Sequence, residues 1–368
     1  MQSIKRELFG PGPTNVPDSV LQSLSQPTIG HLDPEFLKIM DKTGERLRHC
    51  FQTQNALTFV LSAPGSVGME TSFVNLLEPG DKVVVCINGV FGGRMRDICE
   101  RAGADVIVVE NEWGTPVDPN ALQATLKNHG DAVAVAFVHA ETSTGVRSDA
   151  KTIAEIARSH GCLVIADCVT SLAGVELLVD EWGLDVVYSG SQKCLSCVPG
   201  LSPITFSARA VERIRRRKSR VQSWFCDISL LMSYYESGEK TRAYHHTAPV
   251  NSLYAMNEAL RLVVAESLEA RWLRHGEAAQ HLYSRLESAG LEMIVEPEHR
   301  LAPLTLVRIP DGVDDAAIRG TLLQDRNIEL GGGLGKFADK AWRIGLMGQN
   351  ATLERADFVA DALLAELQ

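Results

Sequence analysis

The hydrophobic positions of this chain follow two rhythms. Short unbroken apolar runs recur at Leu57–Leu61, Val83–Ile87, Val106–Val109, Ala132–Val138, Leu163–Ala166, Val186–Tyr188 and Pro203–Phe206. Between most of them lie stretches with helical spacing, among them Arg94–Arg101, Asn120–Asn128 and Thr152–His160. An earlier helical pattern, carried by Phe36, Leu37, Met40, Leu47 and Phe51, occupies about Asp33 to Phe51. A run without polar alternation predicts a strand covered on both faces, and hence a mostly parallel sheet. Strands alternating with helices predict βαβ units joined by right-handed crossovers. In such sheets ligands sit at the carboxyl ends of strands, which is where chemistry is to be sought.

Both ends of the chain depart from this rhythm. Gly10-Pro11-Gly12-Pro13-Thr14-Asn15 makes the first sixteen residues an irregular extended arm, neither helix nor central strand. After the seventh run, Arg213, Arg215, Arg216, Arg217, Lys218 and Arg220 form a basic stretch that reads as a solvated helix face. One long helix is predicted from Ser252 to about Ala289. The remainder, with strands at Leu304–Ile309 and Ala341–Leu346 and two helices, reads as a smaller α+β unit. The expected division is an arm over 1–16, a large cofactor-binding α/β domain over 17–255 and a small α+β domain over 256–368.

Composition narrows the function classes. Of 368 residues, 45% are hydrophobic and 22% charged, which excludes a disordered or fibrous chain. Thirty-six basic residues against 46 acidic ones give a net charge of −10, a poor basis for nucleic-acid or anionic-membrane binding. No stretch approaches the ~18 uninterrupted apolar residues of a membrane span. The segment Met1–Glu7 has no apolar core of a signal peptide. Eight cysteines (50, 86, 99, 162, 168, 194, 197 and 226) are scattered along the chain, several in apolar runs. They read as reduced, buried thiols of a cytoplasmic protein rather than a disulfide framework.

Several familiar signatures fail on inspection. Gly10-Pro11-Gly12 ends in Asn15 where a dinucleotide fingerprint needs Gly, and it follows no strand. Gly335-Lys336 is followed by Phe337, so it is no P-loop, and Pro64 stands where a nucleophile elbow around Ser66 would need Gly. Cys194 and Cys197 form a single CxxC with no second pair, which reads as two packed thiols rather than a zinc or redox site.

Two other features support one another. The run ending at Ala166 is followed by Asp167, and the run ending at Tyr188 is followed by Ser189-Gly190-Ser191-Gln192-Lys193. Alone, the Asp reads as a helix cap and the Lys as a surface residue. Together, 26 positions apart at the ends of two strands, they are what a pyridoxal phosphate enzyme needs. The lysine forms a Schiff base with the aldehyde, and the carboxylate keeps the pyridine nitrogen protonated. The turn Ser62-Ala63-Pro64-Gly65-Ser66, opening a helix after a strand, offers backbone amides to a phosphate. Phe91, after another strand, is placed to cover the ring, though core packing is the competing reading.

This combination resembles the class V aminotransferases of pyridoxal phosphate fold type I, in particular the alanine–glyoxylate, serine–pyruvate and serine–glyoxylate enzymes. The similarity runs through Gly10–Asn15, Phe51-Gln52-Thr53, Glu141-Thr142-Ser143-Thr144-Gly145, Ser189–Lys193, Tyr244-His245-His246-Thr247 and Arg343-Ile344-Gly345-Leu346, in the family's order. It implies that Lys193 forms the Schiff base and that Asp167 pairs with the pyridine nitrogen. Phe91 and Val169 would face the two sides of the ring, with Thr142 beside it. Gly65, Ser66 and Gln192 would contact the phosphate, Ser66 standing where the mammalian enzymes have His. Tyr244 and Thr247 would reach the phosphate of a neighbouring subunit, which implies a homodimer with shared sites. Arg343, with Gly12 of the arm, would receive the substrate carboxylate, while His245 and His246 would be structural or interfacial. The implied reaction is a ping-pong transamination from alanine or serine to glyoxylate or pyruvate. Ureidoglycine–glyoxylate and pyridoxamine–pyruvate aminotransferases are the alternatives. A cysteine desulfurase would need a nucleophilic cysteine in the small domain, and none lies beyond Cys226. A binding protein that kept the fold and lost the chemistry would have no need of both Lys193 and Asp167.

Overall fold

The computed structural model describes residues 4–235 and 242–367. Its centre is a seven-stranded sheet ordered Leu57–Leu61, Ser202–Phe206, Val186–Tyr188, Leu163–Asp167, Ala134–Val138, Lys82–Ile87 and Asp105–Glu110. Ser202–Phe206 runs antiparallel to both neighbours, and every other pairing is parallel. The fold is therefore mixed α/β around a mostly parallel sheet, as the unbroken apolar runs predict.

Each central strand feeds two cores at once. Leu163 and Ile165 join one apolar cluster while Val164 and Ala166 join the other; Ala134, Ala136 and Val138 alternate in the same way with Val135 and Phe137. Helices cover both faces, and their starts carry the expected signals. Asp33 caps Pro34–Phe51 by accepting from the Glu35 amide, and Asp118 and Asp149 cap Pro119–Asn128 and Ala150–Ser159 likewise.

A second sheet of four strands is ordered Glu7–Phe9, Ile328–Gly332, Ala341–Gly345 and Leu304–Arg308. Its first member comes from the N-terminal arm, which pairs parallel with Ile328–Gly332 as an edge strand. The arm then passes over the large sheet, where the Thr14 amide donates to the Gln192 carbonyl at 3.0 Å.

Two sequence expectations need correction. The long helix is two helices, Val250–Glu266 and Leu268–Ser288. Ser267 breaks it with φ 70°, and its hydroxyl accepts from the Ala270 amide to start the second helix. The basic stretch is not wholly a solvated face. Arg213 Nε donates to the Leu76 carbonyl at 2.6 Å, and Arg217 Nη1 donates to those of Asn75 and Leu77 at 2.9 and 2.7 Å. Both arginines close the carboxyl end of helix Gly65–Leu76, where unpaired carbonyls and the negative end of the helix dipole favour a cation.

Among the described residues no helix is long and apolar enough to cross a membrane. All eight cysteines are buried and unpaired with one another. Cys194 and Cys197 are pushed up to about 12 by burial, so the CxxC thiols stay protonated, with Cys194 donating to the Thr170 carbonyl at 3.1 Å.

Candidate active site

Five strands of the large sheet end on one edge, and a pocket of about 290 Å³ is lined by residues from the loop after each. Leu57–Leu61 leads to Pro64, Gly65 and Ser66, and Lys82–Ile87 leads to Phe91. Ala134–Val138 leads to Ala140 and Thr142, Leu163–Asp167 to Asp167 and Val169, and Val186–Tyr188 to Gln192 and Lys193. The structure thus brings together Gly65, Ser66, Phe91, Thr142, Asp167, Val169, Gln192 and Lys193.

Asp167 lies at the bottom of this pocket, 3% exposed. Burial raises its carboxyl to about 7, against the pull of two donors: the Val169 amide to Oδ1 at 2.9 Å and the Tyr188 hydroxyl to Oδ2 at 3.0 Å. Tyr188 is the register partner of Asp167 on the adjacent parallel strand, fully buried, so its hydroxyl has been carried out of water to meet that carboxylate. Nearby, Glu141 raises the Asp167 carboxyl further, while Lys193 lowers it.

Lys193 is depressed to about 8, first by burial and then by the positive charge of Arg343. An ordinary lysine stays protonated near neutrality, so this amine is unusually available as a nucleophile or base. Its ammonium donates to the carbonyl of Pro11 in the arm. Gly12 has φ +104°, and a Cβ there would lie 2.6 Å from Lys193 Nζ, so only glycine lets the arm pass this close.

Arg343 and the Tyr244–Thr247 segment are not among the residues that line the pocket. Arg343, on strand Ala341–Gly345, is half-buried, and Nε donates to the Gly332 carbonyl at 2.8 Å. Among the described residues its terminal nitrogens have no hydrogen-bond partner, which leaves the fork open for a carboxylate. Tyr244, 63% exposed, packs on the His31 ring at 5.4 Å, and Thr247 is exposed. Between them His245 stacks on Trp224 at 4.4 Å, and His246 Nε2 lies 2.7 Å from the hydroxyl of Ser62, just ahead of the pocket turn.

Three residues here escape sequence reasoning. Tyr188 reads only as the end of an apolar run. Glu141, fully buried, accepts from the Phe91 amide at 3.1 Å and the Gly92 amide at 3.4 Å, and from the Ser143 amide and hydroxyl at 3.0 and 2.6 Å. It thereby caps helix Val90–Arg101 and fixes Phe91 at the pocket wall. Arg94 also lines the pocket, one helical turn after Phe91. Its i+3 spacing from that aromatic is the signal that could have found it.

The sequence profile described as "Aminotransferase class-V" matches residues 7–337. The alanine–glyoxylate aminotransferase of Rattus norvegicus is 42% identical over 365 residues, covering 99% of this chain and 88% of the relative. A solved alanine–glyoxylate aminotransferase from Nostoc sp. superposes with TM-score 0.97 at 46% identity, over 100% of this chain and 97% of the other. The ureidoglycine–glyoxylate aminotransferase of Bacillus subtilis superposes with TM-score 0.96 at 37% identity, over 100% and 94%.

Pyridoxal phosphate, which that family implies, meets a fitting set of groups. Helix Gly65–Leu76 opens at the pocket with no side-chain cap, leaving its first amides for an anion. Gln192 lines the same pocket, and the N–H groups of its side-chain amide are donors it can offer a phosphate. The buried Asp167 and the depressed Lys193 are the acid partner and the amine that the cofactor's ring nitrogen and aldehyde require.

Proposed function

This chain belongs to the class V aminotransferases, and we propose that it moves an amino group from a small amino acid, alanine or serine, to glyoxylate or pyruvate, using pyridoxal phosphate. The observation that carries the reading is the meeting of Lys193 and Asp167 in one pocket at the ends of neighbouring parallel strands. The relatives support glyoxylate more firmly than the donor, since their names share that acceptor and differ in what gives the amine.

When bound, the cofactor supplies an aldehyde for the incoming amine and a ring that withdraws electrons. Lys193 would hold the aldehyde and, once displaced by the donor, its Nζ is the base that takes the proton from the substrate Cα and returns it. In the cofactor-free protein this amine already sits at about 8, lowered by burial and by Arg343, close enough to neutrality to give up its proton. Asp167 would hold a positive charge at the ring nitrogen, its oxygens aimed by the Tyr188 hydroxyl and the Val169 amide. Phe91 and Val169 would flank the ring, with Thr142 beside it and Gly65, Ser66 and Gln192 on the phosphate. Arg343 would receive the α-carboxylate with two parallel bonds, and Gly12 would keep the arm out of the substrate's way.

Tyr244 and Thr247 would complete the site of a partner subunit in a homodimer, a reading supported by their exposure and by their absence from the lining of their own pocket. Unpaired, buried thiols fit a cytoplasmic enzyme.

Borohydride reduction of the purified protein followed by peptide mapping should leave a pyridoxyl group on Lys193. A panel of alanine, serine, ureidoglycine, pyridoxamine, aspartate and glutamate against glyoxylate and pyruvate should favour alanine or serine with glyoxylate. A label on another lysine overturns the site, and a preference for glutamate overturns the substrate.

A further inference from the structure

Among the residues lining the pocket only two carry a positive charge, Lys193 and Arg94. Lys193 is committed to the aldehyde end. A phosphate dianion at the start of helix Gly65–Leu76 would meet backbone amides worth about half an elementary charge, which leaves much of its charge uncompensated.

Arg94 is built to answer it. Its Nη1 donates to the hydroxyl of Ser66, the second residue of that uncapped helix, at 3.2 Å. Its guanidinium carbon lies 5.0 Å from the Phe91 ring centroid, which holds the cation in place without neutralising it. Two other arginines of helix Val90–Arg101 have carboxylate partners: Arg96 pairs with Glu100 at 2.7 Å and Arg101 with Asp97 at 2.9 Å. Among the described residues Arg94 has no such partner.

We propose that Arg94, aligned by Ser66 and Phe91, is the cation that binds the cofactor's phosphate, and so lets this chain distinguish pyridoxal phosphate from pyridoxal. The inference rests on the cofactor reading above. The competing use of Arg94, as the receiver of a second carboxylate on a dicarboxylic donor, is less favoured. Its hydrogen bond is to the phosphate-side turn, and Arg343, the proposed α-carboxylate receiver, does not line this pocket.

Cofactor-free wild type, Arg94→Gln, Arg94→Lys and Ser66→Ala would be titrated with pyridoxal phosphate and with pyridoxal by equilibrium dialysis, without any activity assay. Arg94→Gln should weaken pyridoxal phosphate about 10- to 100-fold, the worth of a charge-assisted hydrogen bond, and change pyridoxal by no more than about threefold. Arg94→Lys should fall between, because it keeps the charge and loses the fork. Ser66→Ala should cost less, and an Arg94→Gln/Ser66→Ala double variant titrated alongside should cost less than the sum of the singles, since the two side chains act as one unit. Equal losses for both ligands would reduce Arg94 to a support for Phe91 and overturn the proposal. So would unchanged pyridoxal phosphate affinity, with or without a loss of aspartate and glutamate as donors. Wild type that binds neither ligand would bring down the cofactor reading itself, a result distinct from these.

Discussion

The edge of the seven-stranded sheet and the segment from Tyr244 to Thr247 are assigned to the same cofactor, yet they are built in opposite ways. At the sheet edge the acid and the ring-covering aromatic are fixed from within the chain. Asp167 is held by an amide two residues on and by a hydroxyl on the next strand, and Phe91 by the buried carboxylate of Glu141. Tyr244 and Thr247 are exposed, and the segment's tie to the pocket is indirect, through His246 and Ser62. The first region has met the cost of burying charge inside one fold. The second has groups free to serve another surface. In the proposed homodimer such a site would separate the chemistry, which must be held still, from completion of the phosphate end, which would wait for assembly.

The largest effect should come from the buried side. Asp167→Asn should lower kcat about 10²- to 10⁴-fold, because an amide does not hold a positive charge at the ring nitrogen. The same change should not weaken the cofactor-free protein at pH 8. Asp167 titrates at about 7 in the fold against an ordinary 3.8, so the folded state binds its proton more tightly than the unfolded one. The contribution of this group to stability is therefore highest below the unfolded value and is lost as pH rises toward 7, by up to about 4 kcal/mol. Asparagine removes that burden and leaves one of two donors unmet, at about 1–3 kcal/mol. Thermal melts of the unliganded variant should match or exceed wild type at pH 8 and show no such advantage at pH 5. An inactive variant that is also less stable at pH 8 would make Asp167 a structural cap.

Arg343→Lys tests a group on the small sheet, outside both regions. A lysine keeps the charge and cannot make two parallel bonds. Donor and acceptor both present a carboxylate, so kcat/KM should fall for each, by about 30- to 4,000-fold if the pair is worth 2–5 kcal/mol. Near-normal values with both partners would leave Arg343 as a tie to the Gly332 carbonyl alone.

A smaller, conditional effect should mark the exposed side. Lys193→Ala and a Tyr244→Phe/Thr247→Ala double variant should each be impaired alone. Mixed and refolded together, they should form hybrid dimers with one intact site, about a quarter of all sites in a random mixture. Hybrids that form and recover nothing would place both regions on one chain's own pocket.

The same contrast explains what could be read in advance. Strands covered on both faces have no polar alternation, so the runs from Leu57 to Phe206 announce the sheet, and Asp167 and Lys193 stand out because they end two of them. Ser267 was missed because neither Gly nor Pro marks the break, only a hydroxyl that caps the next turn. Arg213 and Arg217 were indistinguishable from their neighbours because the feature that selects them, the end of helix Gly65–Leu76, lies more than 130 residues away. Glu141 sits inside a string that resembles the family's, but its hold on Phe91 depends on two loops meeting across the pocket. Each of these is a fact of register and packing rather than of local pattern.

Tyr188 is the finest test of the buried side, because it touches Asp167 and none of the pocket-lining set includes it. Tyr188→Phe keeps the ring in a fully buried slot and deletes only the hydroxyl, so the fold should stand. The hydroxyl's bond favours the ionised carboxylate; without it, Asp167 should titrate above its present value of about 7. On the loaded enzyme the carboxylate that would face the ring nitrogen loses one of its two donors, so kcat/KM should drop about threefold to tenfold, within the worth of one hydrogen bond to a charged group. The sign of the pH dependence is read on the cofactor-free protein. A group whose folded pKa is raised loses its contribution to stability as pH rises through that value, so the stability gap between variant and wild type should widen above pH 7, whereas a simple packing defect would leave it constant. A constant gap across pH 6.5–9 would remove Tyr188 from the site and leave the Val169 amide as the sole aim of the carboxylate.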